Sequence, residues 1–192
     1  MRQKQRCLWV SDDPLYINYH DHEWGVPIHD DRLLFEFLVL EGMQAGLSWI
    51  TILRKRDNYR KAFNNFNAKI ITTYDQNKIK QLLNDAGIIR NKLKVQSIIN
   101  NAEAFLEVKR EWKKFSNYIW HFVDNHPIQN HWKQSKQVPS TTLVSDALSK
   151  DLKKRGFKFI GSTICYAFMQ ATGMVNDHTT DCFRYKELVK IK

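Results

Sequence analysis

From Asp30 onward, apolar positions recur at helical spacing, and alternating, strand-like runs are few. Asp30 can cap a helix that carries Leu33, Leu34, Phe37, Leu38 and Glu41 on one stripe. Gly42 and Gly46 are expected to interrupt it, and Ser48 to cap a second helix through Ile52 and Tyr59. Asn67 and Asp75 look like caps of two short helices. A turn at Gly87 precedes a long helix over 91–112 and a short aromatic one over 118–123. The polar stretch 129–142 reads as a loop, and helices resume over 145–155 and 162–171. The pattern predicts an all-α fold without internal repeats or long linkers.

The 192 residues, 43% of them hydrophobic, suffice for one packed domain or two lobes around a shared core. The longest apolar run, 33–40, is interrupted by Glu36 and is too short to cross a bilayer. The basic residues 1–9 are not followed by an apolar segment, so no signal peptide is expected and the cytoplasm is the expected compartment. Thirty basic against twenty acidic residues give a formal charge of +10, which favours a polyanionic partner without separating DNA from RNA. Six Trp, seven Tyr and eleven Phe can build a core or stacking surfaces for bases. Three cysteines in such a chain argue for burial or metal ligation over a disulfide framework.

Glu41 stands out chemically. Leu34, Phe37, Leu38 and Ala45 surround it at helical spacing, so its carboxylate belongs to an apolar stripe. Such an acid is costly unless paired, and a structural ion pair competes evenly with a functional role. The setting, EGMQAGLSW over 41–49, adds two glycines that let a flat group approach and an aromatic face at Trp49. Upstream, Trp9, Tyr16, Tyr19 and Trp24 could enclose a flat, cationic ligand or form a small aromatic core. Cys7 and His20 near the start, with His178 and Cys182 in an HxxxC arrangement near the end, suit tetrahedral zinc; His22 is an equal candidate by position. Four protein ligands would make such an ion structural. Cys165 lies in an apolar helical run and reads as core. In DAGIIRNKLK, 85–94, a tight turn at Gly87 is followed by Arg90, Lys92 and Lys94, as suits phosphate contact or an ordinary helical hairpin with a solvated face. Glu103, Glu107 and Glu111, four apart, read as a solvated stripe.

Together the blocks DPLYINYHDHEWGVP (13–27), EGMQAGLSW, DAGIIRNK, SDALSKDLKKRGFKFIGSTICYAFMQATG (145–173) and NDH (176–178) resemble the bacterial 3-methyladenine-DNA glycosylase I family of the helix-hairpin-helix DNA glycosylase superfamily. The resemblance implies a helix-hairpin-helix glycosylase-like fold in a single domain, 1–192. Within it, a hairpin lobe near 65–125 would face a terminal lobe from 1–30 and 140–192. It implies structural Zn2+ held by Cys7, His20, His178 and Cys182, which decides against His22. It implies a base pocket of Glu41 with Trp9, Tyr16, Tyr19, Trp24 and Trp49, and a DNA-gripping hairpin with Gly87, Arg90 and Lys92. Leu47 would fill the gap left by a flipped base. The implied activity is monofunctional excision of 3-methyladenine from double-stranded alkylated DNA by a monomer. The catalytic Asp that many superfamily members carry after the hairpin has no convincing equivalent here, nor is there an evident nucleophilic lysine. The competing classes are a zinc-stabilised nucleic-acid-binding module without enzymatic activity, which has no use for Glu41, and a zinc hydrolase, which needs an open metal position.

Overall fold

The computed structural model describes residues 4–190. Its elements run α1 (Pro14–His22), α2 (Asp31–Gln44), α3 (Trp49–Ala62), a 3-10 turn (Asn64–Phe66), α4 (Ala68–Ile71), α5 (Gln76–Asn84), α6 (Lys92–Trp112) and α7 (Phe115–His121). After them come β1 (Ile128–Gln129), a second 3-10 turn (Ser135–Gln137), α8 (Leu143–Lys154), α9 (Ser162–Ala171), β2 (Val175–Asn176) and α10 (Phe183–Leu188). The expected helical class is observed. The strands are a two-residue parallel pair, Ile128 beside Val175 and Gln129 beside Asn176.

α2 is the central element. Asp30 caps it, its side chain accepting from Leu33 N at 2.8 Å. Every residue from Leu34 to Met43 is buried, so the helix has no solvent face through its second half. It packs against α3, α6, α7 and α9, and α8 covers the other side of α9. Gly42 does not interrupt this helix, contrary to expectation. It lies inside it because a Cβ there would sit 3.1 Å from the Phe159 carbonyl; the glycine admits the 157–161 strap against the helix. Asn67, Asp75 and Asn91 cap α4, α5 and α6 as their side-chain chemistry suggests. Ser48 precedes α3, but its hydroxyl bonds to the Thr51 hydroxyl at 2.8 Å and caps no backbone N–H.

α1 and α10 have no counterpart in the helical periodicity. α1 mixes Leu15 and Ile17 with Tyr16 and Tyr19 in no amphipathic stripe, and its start is set by Asp13, which accepts from Leu15 N at 2.9 Å ahead of Pro14. Gly25 N donates to Gln170 O at 3.1 Å, and Ile28 N to Thr172 O at 3.1 Å. Phe183 N donates to Gln5 O at 3.0 Å. The first two lay the N-terminal segment against the end of α9, and the third joins it to the C-terminal segment. No helix among the described residues is long and apolar enough to cross a membrane.

Candidate active site

α1, the end of α2 and the start of α3 converge on a cavity of about 300 Å³, near the lower end for small-molecule sites. Glu41 lies in its wall, 4% exposed. Among the described residues nothing hydrogen-bonds or ion-pairs with its carboxylate, and desolvation pushes its pKa up to about 8. The structural ion pair weighed for Glu41 is made one turn earlier instead. Glu36, fully buried, accepts from Arg56 Nε at 2.6 Å and Arg60 Nη2 at 2.7 Å, and Arg56 also reaches Glu23 at 2.6 Å. Two acids of one helix therefore have opposite environments: Glu36 is neutralised, and Glu41 faces the cavity alone.

All five expected aromatic residues line this cavity. Trp9 packs on Tyr16 with ring centroids 5.1 Å apart and edge-on to Trp24 at 4.9 Å, while Tyr19 and Trp49 meet at 5.5 Å. Burial raises the pKa of Tyr16 and Tyr19, with the Glu41 charge as a second cause in each. The indole N–H groups of Trp9 and Trp49 are buried without partners among the described residues, donors that the acceptor edge of a planar ligand can satisfy. Facing aromatics beside an unpaired acid suit a flat cation. Gln44, Ser135, Val138 and Asp177 also line the cavity and were not foreseen. Gln44 was within reach of sequence reasoning, one helical turn after Glu41; the loop residues Ser135 and Val138 carried no such signal.

α2 ends in a projecting turn. Gly46 has φ 77°, and Leu47 follows with 40% of its surface exposed beside a second hollow lined by Glu41, Thr163 and Ala167. Lys94, expected on a basic face, is buried. Its Nζ donates to Met43 O at 2.8 Å and Ala45 O at 2.7 Å, which fastens the turn to the start of α6.

The hairpin joins α5 to α6 and presents Arg90 and Lys92 to solvent, with no ion pair to either among the described residues. Gly87 packs against α3, where a Cβ would come within 3.0 Å of Asn58 Cβ. Its N–H is engaged by Asp85 Oδ1 at 2.7 Å, and Ile89 N by the Tyr59 hydroxyl at 3.1 Å. Arg90 and Lys92 add exposed cationic side chains to the N-terminal end of α6. The Glu103, Glu107 and Glu111 stripe is exposed, as expected.

Cys7, His20, His178 and Cys182 are all buried, with their ligand atoms within 4.8 Å of one another. Cys182 Sγ lies 3.5 Å from His20 Nε2 and 3.4 Å from His178 Nδ1; Cys7 Sγ lies 3.5 Å from His178 Nδ1. Tetrahedral zinc with bond lengths near 2.3 Å to sulfur and 2.0 Å to nitrogen would set sulfur–nitrogen edges of about 3.5 Å. The remaining imidazole nitrogens are held from outside, His20 Nδ1 by Asp21 at 2.8 Å and His178 Nε2 by the Trp24 carbonyl at 3.1 Å. The thiols contest one negative charge: their mutual hydrogen bond is the main cause that lowers the pKa of Cys182 and raises that of Cys7. A cation lets both ionise, so the donor set fits a metal ion. His22 is exposed and bonds to the Asn18 carbonyl instead. Cys165 is core.

The family model described as methyladenine glycosylase matches residues 9–185. The chain is 51% identical over 181 residues to the DNA-3-methyladenine glycosylase 1 of Escherichia coli (strain K12), covering 94% of this chain and 97% of that one. A crystal structure of a 3-methyladenine DNA glycosylase I superposes with a TM-score of 0.91 at 54% identity, covering 93% of this chain and 98% of that one. The Staphylococcus aureus 3-methyladenine DNA glycosylase I, from a study of 3-methyladenine recognition, superposes at 0.90 with 34% identity over 93% and 95% of the two chains. An unpaired acid in an aromatic-walled cavity, a Cys2His2 cluster and likeness over nearly the whole chain agree: the chain belongs to the methyladenine glycosylase family.

Proposed function

We propose that this protein removes 3-methyladenine from double-stranded alkylated DNA by hydrolysing the N-glycosidic bond, leaving the strand uncut. It acts as a cytoplasmic monomer in base-excision repair. The observation that carries this reading is Glu41, a buried carboxylate without a counter-ion in a cavity walled by Trp9, Tyr16, Tyr19, Trp24 and Trp49.

Adenine methylated at its minor-groove ring nitrogen is a cation while attached to the sugar, so its glycosidic bond is already weak. The enzyme needs to extrude it, hold it and admit water. Extrusion costs about a few kcal/mol, least for damaged bases. Leu47, exposed on its glycine turn, fills the vacated space while Arg90 and Lys92 hold the backbone. The hairpin lobe, 65–125, grips DNA, and the terminal lobe, 1–30 with 140–192, supplies much of the pocket. The aromatic faces stack on the cationic ring, and Glu41 accepts from the exocyclic amine while its charge stabilises the cation in a water-poor site. Cys7, His20, His178 and Cys182 would hold a zinc ion, which would supply a cross-link and, with four protein ligands, no reactive position.

Glu41→Gln keeps the shape and removes the charge. Chromatography of bases released from methylated DNA should show excision at least about tenfold slower than wild type. Excision at the wild-type rate removes Glu41 from recognition, and no released base from the wild-type, metal-loaded protein removes the glycosylase reading itself.

A further inference from the structure

We propose that Asp177 is a second specificity determinant in this cavity: a standing negative charge that selects the cationic, alkylated base over neutral purines. This rests on the glycosylase reading above and deepens it.

Asp177 lines the cavity and is 3% exposed. Its Oδ1 accepts from Asn130 Nδ2 and from Trp132 Nε1, each at 2.7 Å. Its Oδ2 accepts from the Tyr166 hydroxyl at 2.6 Å and from Gln170 Nε2 at 2.7 Å. An indole N–H can only donate. Oδ1 must therefore accept, and the four donors on the two oxygens match the acceptor pattern of a carboxylate. All four donors are neutral. Among the described residues no Lys or Arg pairs with Asp177, and none lines the cavity.

The contrast with Glu36 gives this weight. Glu36 is as deeply buried, yet two arginines cancel its charge. Asp177 is stabilised by dipoles that leave its charge intact, and the low dielectric of the cavity carries that charge to a ligand. Anchoring the 130–132 loop needs acceptors; it does not need a net charge beside a ligand site. An uncompensated buried carboxylate is costly in the free protein, and a cationic ligand offsets that cost where a neutral one does not. Asp177 and Glu41 thereby divide the work, as paired carboxylates in different environments do. Glu41 meets the base, and Asp177 acts through its field.

The test measures binding to the full-length, metal-loaded protein by calorimetry. One probe is neutral 3-methyladenine; the other is 3,9-dimethyladeninium, a fixed cation of the same ring. The quantity read is the cation-to-neutral affinity ratio, compared between variants so that the extra methyl cancels. Asp177→Asn removes the charge directly. Asn130→Lys leaves Asp177 in place and neutralises it from a half-exposed position outside the cavity wall. The ratio should fall about tenfold in both. If Asp177→Asn fails to fold, Asn130→Lys decides alone. An unchanged ratio, or an equal loss of both ligands in every folded variant, makes Asp177 a loop anchor and overturns the proposal. The binding ratio needs no bond cleavage, so it is separable from the glycosylase reading, which fails only if wild-type protein releases no base from methylated DNA.

Discussion

Glu41 carries its charge at a cost that depends on pH. Its pKa is near 8 in the folded protein, against 4.5 for the unperturbed group, with desolvation as the cause. Below the lower value both states are protonated. Between the two, the folded protein holds a proton that the unfolded chain has lost, so stability falls as pH rises and the loss is complete above about 8. Glu41→Gln has no such proton. Thermal melts from about pH 5 to 9 should show wild type losing ground to this variant, by about a few kcal/mol at the alkaline end; parallel curves would mean the carboxylate is not desolvated. The same ionisation should appear in activity: kcat/KM should rise toward pH 8 in wild type and lose that limb in the variant. Glu36 shows why position in a helix does not settle the role of an acid. Both acids lie on α2, and the arrival of Arg56 and Arg60 from α3, with Arg32 one turn before Glu36, separates them.

At the scale of elements, the α2–α3 turn and the α5–α6 hairpin, the two segments proposed to meet DNA, are joined by one side chain. Lys94, at the start of α6, holds the carbonyls of Met43 and Ala45 just ahead of Leu47. Leu47→Ala should slow excision from duplex DNA by about tenfold while leaving affinity for free 3-methyladenine unchanged, since the wedge acts on the duplex and not in the cavity. Equal slowing on single-stranded substrate would contradict the wedge role. Arg90→Ala and Lys92→Ala should each weaken DNA binding uniformly across sequences and lower the log–log salt slope by about 1. Titrations at several salt concentrations decide this, and an unaltered slope would place those side chains away from phosphate. These helices were legible locally. Caps at Asp30, Asn67, Asp75 and Asn91 and the apolar periodicity act over four residues or fewer. α1 was not, because its aromatic residues serve the cavity instead of forming an amphipathic stripe.

For the whole molecule, the Cys2His2 cluster brings residues 7 and 20 beside residues 178 and 182, and Trp9, Tyr16, Tyr19 and Trp24 lie on or next to the segment a metal there would pin. Elemental analysis should find about one zinc per chain. Chelation, or Cys182→Ser, should lower Tm by about 10 °C or more and abolish 3-methyladenine binding. A metal-free protein with unchanged melting and binding would make the cluster incidental. The residue types at this site were visible in the chain: an acid on an apolar stripe, a cluster of Trp and Tyr near the start, and thiols with imidazoles at both ends. Their chemistry and the helices around Glu41 follow from short-range rules, so the sequence alone determined them. What only the tertiary structure decided was pairing: that Glu36 and not Glu41 receives the arginines, that Lys94 turns inward, and that Asp177 closes a cavity begun at Trp9. Those outcomes depend on segments tens to more than 150 residues apart, and desolvation, which sets their energetics, does not exist until the chain has closed around them.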